Sequence, residues 1–294
     1  MHASSRFRQA ACAGTALRLA TLPLALICAV SPAAHAQDRG AEVRDAYHAA
    51  AAAEDADALV QVWKDNPGRI LVTIDADLEG SLSLREKAEA AGEPVDEEAV
   101  AALHARALFG ARVAIKAGAH PMLADYAAAF IGWDAAQRAR FRAGQAAFGA
   151  SRQAAKAGDH EAALAKGTEC LDLAEALGDW WGMAMGLSAQ GQALVALDRH
   201  AEALAVLARA RQIHYDLGLF SSGVGNLDAM IEVCGALQRN SLLEELARQR
   251  LVIAHEAGDE ETADRMLELI AEARGQRGLN VGADQPGSIG VRGR

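Results

Sequence analysis

The stretch QGQALVALDRHAEALAVLARA, residues 190–210, decides the fold. Apolar and small residues recur at helical spacing on both sides of Asp198-Arg199, so it reads as two helices joined by a tight turn. One such hairpin cannot bury its apolar stripe, and copies are expected beside it. They are present. Residues 140–179, 180–219 and 220–259 form three blocks with turns in phase: Gly158-Asp159, Asp198-Arg199 and Gln238-Arg239 in mid-block, and Gly178, Gly218 and Gly258 at the block ends. Glycine suits a helix C-terminus because the left-handed conformation costs it little. Residues 260–274 follow as a capping helix.

Composition agrees with this reading. Of 294 residues, 51% are hydrophobic but only 4% aromatic, and alanine runs recur throughout, which favours helices whose small side chains let backbones approach. An all-α chain is expected.

On these residues the C-terminal half resembles the tetratricopeptide repeat (TPR) family in a longer-period form. Gln190-Gly191 stands at the usual Leu-Gly pair, Leu194 at the aromatic site, Ala203 and Ala210 at the two small sites, and Leu207 at the bulky site between them. The first block has Ser151 at the glycine site, Ala163 and Cys170 at the small sites, and Gly167 where a bulky residue is expected. The third diverges further, with Ile231, Cys234, Leu243 and Arg250 at the corresponding positions. The resemblance implies a right-handed superhelical stack of antiparallel helix pairs, a TPR-like α-solenoid. It also implies a concave groove lined by the first helix of each pair, where partner segments lie. Carried over, the groove positions are Gln145, Phe148, Arg152 and Lys156, then Ser188 and Gln192, then Asp228 and Glu232, running from basic to acidic. The Lys and Asn cluster with which some relatives clamp a C-terminal carboxylate is lacking. Cys170 and Cys234 fall on packing positions two repeats apart, which argues for burial over a disulfide.

The N-terminal region, residues 37–139, is helical but less regular, either degenerate repeats or a cap. Residues 41–54 and 57–65 read as helices, Asn66-Pro67 as a helix start, Gly92-Glu93-Pro94 as a break, 95–117 as a strong helix, and His120-Pro121 as the start of another. Ahead of it, residues 1–36 have the pattern of a cleavable signal peptide: Arg6, Arg8 and Arg18 without an acid, an apolar run over 19–30, and Ala34-His35-Ala36 at the cleavage site. Export to a periplasmic or secreted location is expected, with no stable membrane span after cleavage. A Gly-rich tail, residues 275–294, is expected to be disordered. The formal charge of −10 becomes three units more negative when those arginines leave, so nucleic acid is not an expected partner.

Catalytic motifs are missing. His255-Glu256 has no second His at zinc-helix spacing, and no Gly-x-Ser-x-Gly elbow, P-loop, dinucleotide glycine pattern or CxxC is present. No cofactor is expected. An enzyme would be favoured only by titratable side chains from distant blocks converging in a deep pocket. His160 and His200 follow the mid-block turns in phase and read as turn packing. Of Trp180 and Trp181, one reads as inter-repeat core and the other as a candidate exposed anchor.

DADLEGSLSLRE, residues 75–86, spells a calcium loop: Asp75, Asp77, Glu79, Ser81 and Glu86 stand at ligand positions and Gly80 at the turn. The same residues also read as a helix, because Ile70, Leu71, Ile74, Leu78 and Leu82 make one apolar face. The helix is preferred. The expected function is a non-catalytic exported scaffold that binds a protein or peptide in its groove. The alternatives are a calcium-regulated scaffold and a structural subunit of a larger envelope assembly.

Overall fold

A computed structural model describes residues 32–278, with side chains from Gly40 on. The positive start and apolar run of the signal peptide and residues 279–294 of the tail lie outside the described residues. The chain divides into a short leading unit, Met1–Asp38, and a compact unit, Arg39–Arg294. Only helices occur among the described residues: α1 Pro32–Ala52, α2 Ala56–Asp65, α3 Ile70–Ala91, α4 Glu97–Lys116, α5 Met122–Gly132, α6 Ala135–Lys156, α7 His160–Glu175, α8 Trp180–Ala196, α9 His200–Asp216, α10 Phe220–Ala236, α11 Asn240–Ala257 and α12 Glu260–Gln276. None of them is long and apolar enough to cross a membrane.

The forty-residue period is visible in the backbone. Its six turns all carry a left-handed residue: Gly158 (φ 79°), Gly178 (65°), Asp198 (56°), Gly218 (73°), Gln238 (52°) and Gly258 (68°). Hairpins α6–α7, α8–α9 and α10–α11 follow one another, each packed on the next, and α12 packs on α11. Aspartates cap several starts: Asp159, Asp179 and Asp259 accept from the amides of Ala162, Gly182 and Thr262. Each bond satisfies one donor the helix leaves open. The capping helix is clipped by charge. Buried Glu244 on α11 accepts from Arg248, and from Arg274 and Arg277 at the far end of α12.

Small residues set how closely helices approach. A Cβ added to Gly191 would lie 2.4 Å from Leu207 Cδ2, so this glycine admits the buried Leu207 to the hairpin interior. Gly167, where the family pattern has a bulky residue, has a packing reason: a Cβ there would lie 3.0 Å from the amide nitrogen of Gln190. A Cβ on Gly186 would lie 2.8 Å from that of Leu171. Helices α7 and α8 therefore meet almost backbone to backbone. Cys170 and Cys234 are buried free thiols.

The N-terminal helices share their core with the repeats. One apolar cluster runs from Val43, Trp63 and Ile74 through Phe130 and Phe141 to Leu187 and Leu217. A second joins Leu194 and Leu207 to Met266 and Ile270. Residues 70–91 form α3 without interruption, so the calcium-loop reading of 75–86 is corrected here. Burial of Ile70, Leu71, Ile74, Leu78 and Leu82 holds the segment helical, each such side chain contributing about 1.5–3 kcal/mol. A helix turns about 100° per residue, which sends the five formal ligands to different neighbours. Asp77 is buried and takes Arg106 in a fork as well as the Tyr47 hydroxyl, Ser81 bonds the Leu78 carbonyl and pairs with His104, and Glu86 pairs with Arg142. Among the described residues no three His, Cys, Asp or Glu side chains gather as a metal site.

Candidate functional site

The eight groove positions come from the first helices α6, α8 and α10, and all of them line cavities. Phe148, Arg152, Lys156, Ser188 and Gln192 surround one cavity of about 530 Å³. Gln145 and Phe148 line a second of about 250 Å³. Phe148 and Met185 line both, so the two lie side by side along this face. Asp228 and Glu232 line a third, separate cavity of about 390 Å³ together with Arg265. Asp228 is further held by Arg250 at 2.8 Å.

The larger cavity has a polar side between α8, α9 and α10. Asn226 reaches His214 Nδ1 at 3.0 Å and Ser188 Oγ at 3.1 Å, and lines the cavity with both. Burial lowers the His214 pKa to about 4, which keeps the ring neutral near pH 7. Arg152 and Lys156 are exposed on the opposite side, one helical turn apart, with His160 at the start of α7 beyond them. Arg152 also stacks over the Phe148 ring, 5.8 Å from its centre.

The smaller cavity was not legible in the sequence. Asp75 and Glu79 of α3, Tyr126 of α5, and Asp179 with Trp181 at the start of α8 reach it from three separate regions of the chain. Tyr126 donates to Asp75 Oδ1 at 2.5 Å. Burial pushes the Asp75 carboxyl up to about 7 against the pull of that bond; Glu79 and Asp179 add to the rise and Arg142 opposes it. Asp179 rises to about 6, again through burial, although the Gly182 and Trp181 amides hold its charged form. Arg142 of α6 clamps this side by bonding Glu79 at 2.8 Å and Glu86 at 2.7 and 2.9 Å. Gln145 bonds Glu79 at 2.7 Å. Asp75, Glu79 and Glu86 thus each have a partner on another helix. Burial also pushes the Cys170 thiol in this wall up to about 11, which removes it as a nucleophile near neutral pH.

Both tryptophans are half-buried and pack on the main apolar cluster, and Trp181 alone reaches the cavity. Phe220 is the more exposed aromatic, at 41%. With acidic groups at the small cavity, basic ones at the large cavity and Asp228 and Glu232 beyond, the face runs acidic, basic, acidic.

The fold and this face define a class of protein: an all-α stack of helical hairpins with cavities along its first helices. No protein-family model matches the chain, and no curated protein matches it.

Proposed function

We propose that this protein is an exported, non-catalytic scaffold of tetratricopeptide type that binds an extended segment of a partner protein along its first-helix face. The carrying observation is that the two cavities adjoin across Phe148 and Met185, with six of the eight groove positions on their walls. The leader-like residues 1–36 support export. A site-specific photocrosslinker at Gln192 or Phe148 tests the reading, with Glu202 on a second helix as control. Adducts with one defined partner peptide, lost when Arg152 and Lys156 become Glu, are expected. Adducts only from Glu202 refute it.

Two other readings have specific observations behind them. Titratable groups from distant regions do converge in a cavity, which is the feature that favours an enzyme. Yet Asp179 is committed to capping α8, Glu79 is held by Arg142 and Gln145, and Cys170 is protonated, so Asp75 is the one group left to move a proton. A single buried carboxyl with no nucleophile beside it lacks the convergent constellation of a catalytic site, and binding is the better account. For a structural subunit, Val252 on α11 and Leu267 on α12 are exposed at 55% and 49% on the last helices. Crosslinks from those two positions, with none from the groove, favour end-to-end assembly.

A further inference from the structure

The small cavity has three features that belong together. Its walls are largely apolar, with Tyr126, Phe141, Phe148, Trp181 and Met185 around it. Three carboxyl side chains, Asp75, Glu79 and Asp179, line it, while no Lys, Arg or His does. The nearby cation, Arg142, is taken up by Glu79 and Glu86 on one side of the space. Carboxylates gathered at an apolar, aromatic cavity without a counter-charge inside it complement an organic cation: aromatic faces attract cations and an aliphatic stem fills the apolar wall. A bare metal ion fits less well, because no three acidic or imidazole groups converge closely enough to hold one.

Resting on the groove reading above, we propose that this cavity binds a protonated alkylamine, the side chain of a lysine in the partner segment. The larger cavity adjoins this one across Phe148 and Met185, which sets what surrounds that lysine. Arg152 and Lys156 stand one and two helical turns beyond Phe148, about 6 and 12 Å along α6. An extended chain advances about 3.3 Å per residue, so acidic residues about two and four positions from the lysine meet these two cations. The recognised sequence is thus a lysine with alternate acidic residues on one side.

The cavity also makes recognition pH-dependent. Asp75 faces Tyr126 from α5, Asp179 from the start of α8, Glu79 on its own helix and Arg142 from α6. With its carboxyl at about 7, its charged fraction falls about tenfold from pH 8 to pH 6, and affinity for a cation falls with it.

Fluorescence anisotropy on the full chain tests this with labelled nonapeptides bearing one lysine and glutamates two and four residues before or after it. Replacing the lysine by norleucine is expected to weaken binding at least tenfold, as is Asp75→Asn. Free n-butylammonium is expected to compete where n-butanol does not. Equal affinity for lysine and norleucine peptides, with binding still lost in Arg152→Glu, overturns the amine site and leaves the groove reading standing. If no peptide binds but n-butylammonium quenches tryptophan fluorescence in wild type and not in Asp75→Asn, the amine site stands and the groove reading falls. No response to any probe overturns both. Trp181→Phe serves as a second variant, weakening the lysine peptide more than the norleucine one.

Discussion

Replacing Asp75 by Asn keeps the side chain's shape and removes its charge, which isolates what burial of that carboxyl costs the fold. The folded-state value of about 7 stands above the ordinary 3.8, so between those values the folded protein holds a proton that the unfolded chain has released. The associated stability is fully present below the unfolded value and is lost as pH rises through 7. At about 1.4 kcal/mol per pKa unit the ceiling is about 4 kcal/mol. The cavity is open to solvent, and Asp179 titrates beside Asp75, so about 2 kcal/mol between pH 5 and pH 8 is expected. Asp75→Asn removes this dependence. Relative to wild type, the variant should gain about 2 kcal/mol in urea unfolding free energy on going from pH 5 to pH 8, with unchanged m-value. At pH 5 it should be slightly the less stable, by about 1 kcal/mol, because the bond with Tyr126 is weakened. Wild-type and variant stabilities running parallel across that range would refute the buried-carboxyl account. A carboxylate kept at a stability cost beside aromatic walls is also what the amine site requires, so ligand-free protein should show the effect most strongly.

Three further outcomes follow from the same geometry. Gly191→Ala places a Cβ against Leu207 and should destabilise by about 2 kcal/mol in denaturant unfolding, and a neutral result would mean the hairpin is looser than described. His214, lowered to about 4, resists protonation that the unfolded chain accepts below about 6.5. The His214 contribution to stability should therefore fall as pH drops from 6.5 to 4, by up to about 3 kcal/mol and against the rise from Asp75, so His214→Asn should gain stability relative to wild type over that range. Calorimetric titration with calcium should give no binding heat, since Asp75, Asp77, Glu79, Ser81 and Glu86 are committed to separate partners along α3; binding abolished by Glu86→Gln would reverse the correction.

Local order in this protein is written locally. The period, the six turns and the helix starts depend on residues within a few positions of one another. A left-handed turn needs glycine or a tolerant polar residue, a cap needs a short oxygen-bearing side chain, and a buried face needs apolar residues at helical spacing. For that reason residues 190–210 alone announce the hairpin, while Gln145, Phe148, Arg152, Lys156, Ser188 and Gln192, which line the two adjoining cavities, were picked out by the resemblance to the repeat family. The acidic cavity was decided by tertiary structure. Asp75 meets Tyr126 across 51 residues of chain, Glu79 meets Arg142 across 63, and Asp77 meets Arg106 across 29. Nothing in the neighbourhood of DADLEGSLSLRE specifies those partners, so the stretch spells a metal loop as readily as a helix. Which carboxylate is buried, paired or left facing a cavity depends on the helix that arrives against it, and only the packing of α3 on α4, α5 and α6, with α8 beyond, supplies that.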